Sequence, residues 1–210
     1  MHIPSQLLFL PGALGRTDFW RPAAAQLRHP ARQVHVAWPG FAGEPADPSI
    51  RHLDDLAAGV VRRIDRPTAL VAQSMGGVVA VLAALARPAL VTHLVLSVTS
   101  GGLDVASLGA EDWRPAVLAE HAALPDWFIG ERRDLTPQLP TLQMPVLLLW
   151  GGADPISPVR VGERLAALLP RADLRIFPKG GHDLGFVHAT EVAALIDDHL
   201  AGDCTTIMPG

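Results

Sequence analysis

An α/β fold, a mostly parallel sheet flanked by helices, is predicted by two observations: short apolar runs alternate with longer stretches of helical period, and prolines fall in the gaps between them. Parallel strands are covered on both faces and so read as continuous apolar segments. The strands expected on this basis are 7–10, 34–37, 69–72, 93–98, 146–150 and 174–177, with 34–37 exposed at one edge. Helical period fits 19–27, 53–64, 75–86, 159–169 and 191–200. Pro30, Pro67, Pro88, Pro145 and Pro170 interrupt none of these elements, as their missing N–H requires. Residues 99–141 break the rhythm with Trp113, Trp127, Phe128, four prolines and a helical stretch at 115–123, and they read as an insertion.

With 210 residues, the chain matches one globular domain and buries roughly 70 % of its extended surface. No repeat, charge block or linker marks a second domain. Hydrophobic residues make up 49 %, charged residues 18 %, and the formal net charge is -4, which excludes a highly charged disordered chain and a basic nucleic-acid binder. A small molecule is the expected partner. The single cysteine, Cys204, cannot form an intrachain disulfide and points to a reducing compartment. Residues 1–6 lack a basic n-region, Pro11 cuts the apolar run at 7–10, and no apolar stretch approaches the ~20 residues of a bilayer span. A soluble, cytoplasmic protein without membrane contact is expected.

The strongest local signal is Leu70-Val71-Ala72-Gln73-Ser74-Met75-Gly76-Gly77, where a buried strand ends at a serine and a helix rich in small residues begins. A nucleophile on so sharp a turn needs small residues two positions before and after it, and Ala72 and Gly76 supply them. The plainer alternative is a serine capping a helix. A serine hydroxyl becomes nucleophilic only when a base takes its proton. His182, in Pro178-Lys179-Gly180-Gly181-His182 after a later strand, is the candidate base. Its acid should follow a preceding strand, and Asp154 in Gly151-Gly152-Ala153-Asp154-Pro155 stands there. Asp104 and Asp183 are rival acids: the first follows the strand ending near Val98, and the second adjoins His182.

The order Ser74, Asp154, His182, each past the C-terminal end of its own strand, is more specific than any one motif. The oxyanion of an acyl-transfer intermediate needs N–H donors. Met75 follows the nucleophile, and Ala13 lies in the glycine-rich turn Leu10-Pro11-Gly12-Ala13-Leu14-Gly15. No H-E-x-x-H, cysteine cluster or G-x-G-x-x-G is present, so neither a metal nor any other cofactor is expected.

On these residues, together with Pro39-Gly40-Phe41-Ala42-Gly43 and Gly151-x-x-Asp154-x-x-x-Pro158, the chain resembles the α/β-hydrolase superfamily, especially compact bacterial carboxylesterases and pimeloyl-ester carboxylesterase-like members. The resemblance implies about six mostly parallel strands in the order 2-1-3-4-5-6, without the hairpin that many relatives carry first. It also implies a short lid at 99–141, over a pocket for which Leu14, Trp127 and Phe128 are the candidate walls. Three departures bear on the subfamily: Pro11 stands where a histidine is usual, Trp38 where an aspartate is common, and the segment after His182 lacks the usual proline and glutamate. Relatives with an aspartate nucleophile are excluded by Ser74. The expected activity is hydrolysis of a carboxylic ester or thioester with a small to medium acyl group. A non-hydrolytic receptor on the same fold and an acyltransferase are the alternatives.

Overall fold

The computed structural model describes residues 3–121 and 124–202. Cys204 and the last residues of the helix expected at 115–123 lie outside them. The strands β1 (Gln6–Leu10), β2 (Arg32–His35), β3 (Thr68–Gln73), β4 (Val91–Ser97), β5 (Val146–Gly151) and β6 (Ala172–Phe177) form one sheet in the order β2-β1-β3-β4-β5-β6. Every neighbouring pair is parallel. This is the expected topology.

Because successive strand side chains point to opposite faces, the apolar strands feed two cores at once. Leu8, Leu10, Leu70, Ala72, Leu94, Leu96, Leu148 and Trp150 face one way, packed under α2 (Leu53–Val61), α3 (Met75–Ala86) and α6 (Val159–Leu168). Leu7, Phe9, Ala69, Val71, Val95, Leu147 and Leu149 face the other way, beneath α1 (Arg21–Ala24) and α8 (Ala189–Ala201). The outer strands β2 and β6 are covered less completely and carry the polar residues Arg32, Gln33, Asp173 and Arg175. With the central strands dry on both faces, their C-terminal ends form a rigid rim.

Several boundaries differ from the sequence expectation. The helix expected at 19–27 is reduced to α1, because the buried Asp197 carboxylate of α8 captures the N–H groups of Arg28 and His29 at 2.9–3.1 Å and draws the chain out of the helix. Strand β2 begins at Arg32 rather than 34, since hydrogen bonding starts from Arg32 N–H to Ser5 O regardless of side-chain polarity. Between β4 and β5 lie two 3₁₀ turns, α4 (Arg114–Glu120) and α5 (Asp126–Ile129). A one-turn helix, α7 (Leu184–Val187), follows His182.

His93 of β4 and His199 of α8 meet edge to face beneath the sheet, with ring centroids 5.1 Å apart. Burial pushes both imidazoles down to about 4, helped at His199 by His93 and at His93 by His29 and Arg171. Unfolding returns each to its ordinary value near 6.5. The unfolded chain therefore binds more protons between these limits, so the contribution is complete above ~6.5 and lost as pH falls towards ~4. A loss on the order of 3 kcal/mol is expected for either histidine taken alone, at about 1.4 kcal/mol per pKa unit. Thermal unfolding against pH measures it. A His199→Leu protein should show a shallower slope, and a slope equal to the parent's would contradict the assignment.

Candidate active site

Ser74 sits where β3 turns into α3, with φ 52° and ψ -123°. Such a backbone is costly for a residue with a Cβ. The conformation is clamped on several sides. Ser74 N–H donates to Ser97 O at 2.9 Å, while its carbonyl accepts from Thr99 Oγ1 at 2.6 Å and from Gly77 N–H at 2.9 Å. The helix then passes so close to the end of β1 that a Cβ on Gly76 would strike the carbonyl oxygens of Pro11 and Leu10, and one on Gly77 would strike the Thr99 side chain. The small residues of the elbow are therefore required by backbone approach.

The Nε2 atom of His182 lies 3.0 Å from Ser74 Oγ, and its Nδ1 lies 2.8 Å from Asp154 Oδ2. With Asp154 Oδ2 as the acceptor, this geometry fits the tautomer in which Nδ1–H donates to Asp154 and Nε2 accepts from Ser74. The carboxylate has no side-chain exposure, and its other oxygen accepts Ile156 N–H at 2.9 Å and Ser157 N–H at 3.2 Å. Those two bonds fix its plane. Gly151 and Gly152 let the β5 and β6 ends close together, since a Cβ on either would hit the backbone of Gly180 or Pro178. Ala153 N–H to Gly180 O at 3.0 Å and Gly152 N–H to Phe177 O at 2.8 Å complete the seam.

Neither rival acid reaches the ring. Asp104 is exposed and accepts Ala106 N–H at 3.2 Å, while Asp183 is exposed at the start of α7. Met75, the first residue of α3, has an N–H with no intrahelical acceptor. Ala13 lies across the same cavity, whose volume is about 1100 Å³ and whose wall includes Ser74, His182, Leu14 and Phe128. Trp127 is a correction. It lies outside that wall, its ring edge-on to Phe41 at 6.0 Å, whereas Trp113 stacks on Phe128 at 5.5 Å and joins the lining.

The insertion is anchored at both sides of the cavity. Arg133 binds both carboxylate oxygens of Asp54 on α2 at 2.6 and 2.7 Å, and Glu111 N–H donates to Pro155 O at 2.9 Å. The Arg133 hydrogen bond holds the Asp54 carboxyl below its ordinary range. Sequence reasoning missed Gln73, whose Nε2 donates to His182 O at 3.2 Å, and Thr99. For Gln73 the only available signal was its place beside the nucleophile; for Thr99 there was none. Among the described residues, no group of three or more His, Cys, Asp or Glu is placed to hold a metal ion, and no helix is long and apolar enough to cross a membrane.

The model of the alpha/beta hydrolase family matches residues 7–140, and that of the alpha/beta hydrolase fold matches 107–189. The chain belongs to the alpha/beta hydrolase family. A relative, the pimeloyl-[acyl-carrier protein] methyl ester esterase of Neisseria meningitidis, is 28% identical, with 81% of this chain and 85% of the relative aligned. The fold is shared with a thermophilic esterase from Thermogutta terrifontis (TM-score 0.75, 21% identity, covering 94% of this chain and 89% of that one). MenH from S. aureus shares it too (TM-score 0.76, 18% identity, covering 96% and 95%).

The family's tight elbow yields a stability prediction. Gly76→Ala places a methyl group against two β1 carbonyls that cannot swing aside, so it should cost about 1–3 kcal/mol, as overpacking does. Chemical denaturation of the variant tests this. An unchanged midpoint would show that α3 can move away from β1.

Proposed function

We propose that this family member is a serine carboxylesterase that cleaves a small to medium acyl ester or thioester through an acyl-enzyme. The observation that carries the reading is the unbroken chain of contacts from Ser74 Oγ through His182 to the buried Asp154. Support from the relatives is the esterase name of the Neisseria protein.

In this mechanism Ser74 Oγ attacks the acyl carbonyl carbon as His182 Nε2 takes its proton. Asp154 stabilises the imidazolium without itself becoming protonated. Negative charge develops on the former carbonyl oxygen, which accepts the N–H groups of Met75 and Ala13. Collapse breaks the C–O or C–S bond, and the departing alcohol or thiol takes the proton from His182. Water then attacks the acyl-Ser74 carbonyl and gives its proton to His182. A second collapse frees the acid and restores Ser74.

In the same reading, residues 99–141 form a partial lid on a single domain, and Leu14 and Phe128 are walls for a small-molecule acyl substrate. No nucleic-acid or membrane partner is invoked.

Fluorophosphonate labelling with peptide mapping, followed by turnover of activated esters, tests the assignment. Ser74→Ala should lose the label and roughly 10⁶ in turnover. Asp154→Asn should lower turnover by about 10⁴ with little change in binding, and Asp104→Asn should do far less. Near-parental activity in Ser74→Ala would sink the mechanism. Labelling without turnover would favour a receptor on the same fold.

The lid aromatics divide by position. Phe128→Ala should lower kcat/KM increasingly with acyl length, by about 1–3 kcal/mol of transition-state binding for chains long enough to reach it. Trp127→Ala should instead affect all lengths alike, with a lower Tm, because its ring packs on Phe41 outside the cavity wall. A series of p-nitrophenyl esters measures both, and the reverse pattern would exchange the two roles.

A further inference from the structure

The turn after β1 carries two consecutive carbonyls that share one buried donor. Trp38, with no solvent exposure, places its indole Nε1–H 3.1 Å from Pro11 O and 3.2 Å from Gly12 O. A peptide unit is planar and trans, so the carbonyl of one residue and the N–H of the next point in opposite directions. The carbonyl of Gly12 and the N–H of Ala13 belong to one such unit. Anchoring the carbonyl on the indole therefore turns Ala13 N–H to the opposite side, and Ala13 lines the cavity at Ser74.

Two further bonds bear on this peptide. Gly15 N–H donates to Gly12 O at 3.0 Å, which closes the turn on itself. The Trp20 indole donates to Leu10 O at 3.1 Å, which fixes the strand end before the turn. The Gly15 bond moves with the turn, whereas the Trp38 bond refers it to the core beneath the sheet. There is also little room for the turn to shift, because a Cβ on Gly12 would meet the Gln73 side-chain oxygen and would lie 3.3 Å from Ser74 Cβ.

We propose that Trp38 is a positioning residue for the oxyanion hole: its indole N–H orients the Gly12–Ala13 peptide so that Ala13 N–H meets the charge of the tetrahedral intermediate. The proposal rests on the esterase reading above. An ester carbonyl carries little charge before attack and nearly a full charge after it, so a misaimed donor weakens the transition state more than the bound substrate. Complete loss of one such donor costs ~10²–10³ in kcat. Loss of its anchor, with the Gly15 bond retained, should cost about tenfold or more.

The experiment compares the parent with Trp38→Phe and with a protein carrying benzothienylalanine at position 38, which keeps the bicyclic shape but has sulfur in place of N–H. The readouts are kcat and KM for p-nitrophenyl butyrate, and Ki for a trifluoromethyl ketone that adds to Ser74 as a tetrahedral oxyanion. Both variants should show kcat lowered about tenfold, Ki raised by a similar factor and KM within about twofold. Parental kcat and Ki in the benzothienylalanine protein would overturn the proposal even if Trp38→Phe is impaired, since packing alone would then explain the loss. The parent must first be labelled at Ser74 by a fluorophosphonate. Turnover in the parent without that label would overturn the esterase reading and this inference together, whereas a labelled parent with unaffected variants would overturn this inference alone.

Discussion

The left-handed backbone at Ser74 is the constraint on which the rest of the site depends. A serine does not rest at φ 52° unless its surroundings compel it. Here β4 supplies the acceptor for its N–H at Ser97, Thr99 takes its carbonyl, and α3 can begin at once because Gly76 and Gly77 admit the β1 end and Thr99 without a Cβ in the way. The elbow in turn sets the direction of Ser74 Oγ, and so the place from which His182 must approach. A second strained residue, Val98 at φ 44°, lies where β4 ends beside the same cavity. Backbone strain is thus gathered at the rim of the sheet, where two dry cores hold the strand ends still.

Backbone carbonyls at that rim need donors, since one left buried and unpaired costs about 1–3 kcal/mol. Three fully buried tryptophans meet this need from inside. Trp20 donates to Leu10 O, Trp38 to Pro11 O and Gly12 O, and Trp150 to Ser157 O. Each large ring fills core volume, while its one polar atom reaches a strand end or a loop beside a candidate catalytic group. The Trp150 bond steadies the segment whose N–H groups fix the Asp154 carboxylate, so the acid is positioned from below as well as from its own turn. The side chains that hold the site in place are therefore largely hydrophobic-core residues.

Much of the architecture was legible because it follows from local pattern. The bounds of α3 follow directly from the elbow serine and the helical run ending before Pro88, and the parallel sheet follows from apolar runs that only double-sided burial explains. The pairing of Ser74 with His182 was legible from chain order, because each lies past a strand end. What was not legible depends on distant partners. Asp197 ends the first helix from the far end of the chain, 169 residues away from Arg28. Adjacent aromatics in the insertion, Trp127 and Phe128, have the same composition signal and both pack on Phe41, yet of the two only Phe128 also lines the cavity. Gly151 and Gly152 stand out in the sequence only as neighbours of Asp154. They also provide the close approach that brings the histidine loop across, a role visible only in three dimensions.

The central claim is that a covalent acyl group passes through Ser74. Rapid-quench intact-protein mass spectrometry during turnover of an activated butyrate ester, with peptide mapping of the quenched sample, tests it most directly. The account predicts a transient mass increase equal to one butyryl group, located on the peptide containing Ser74 and decaying as substrate is exhausted. Turnover with no adduct at any quench time, or an adduct on another residue, would contradict it.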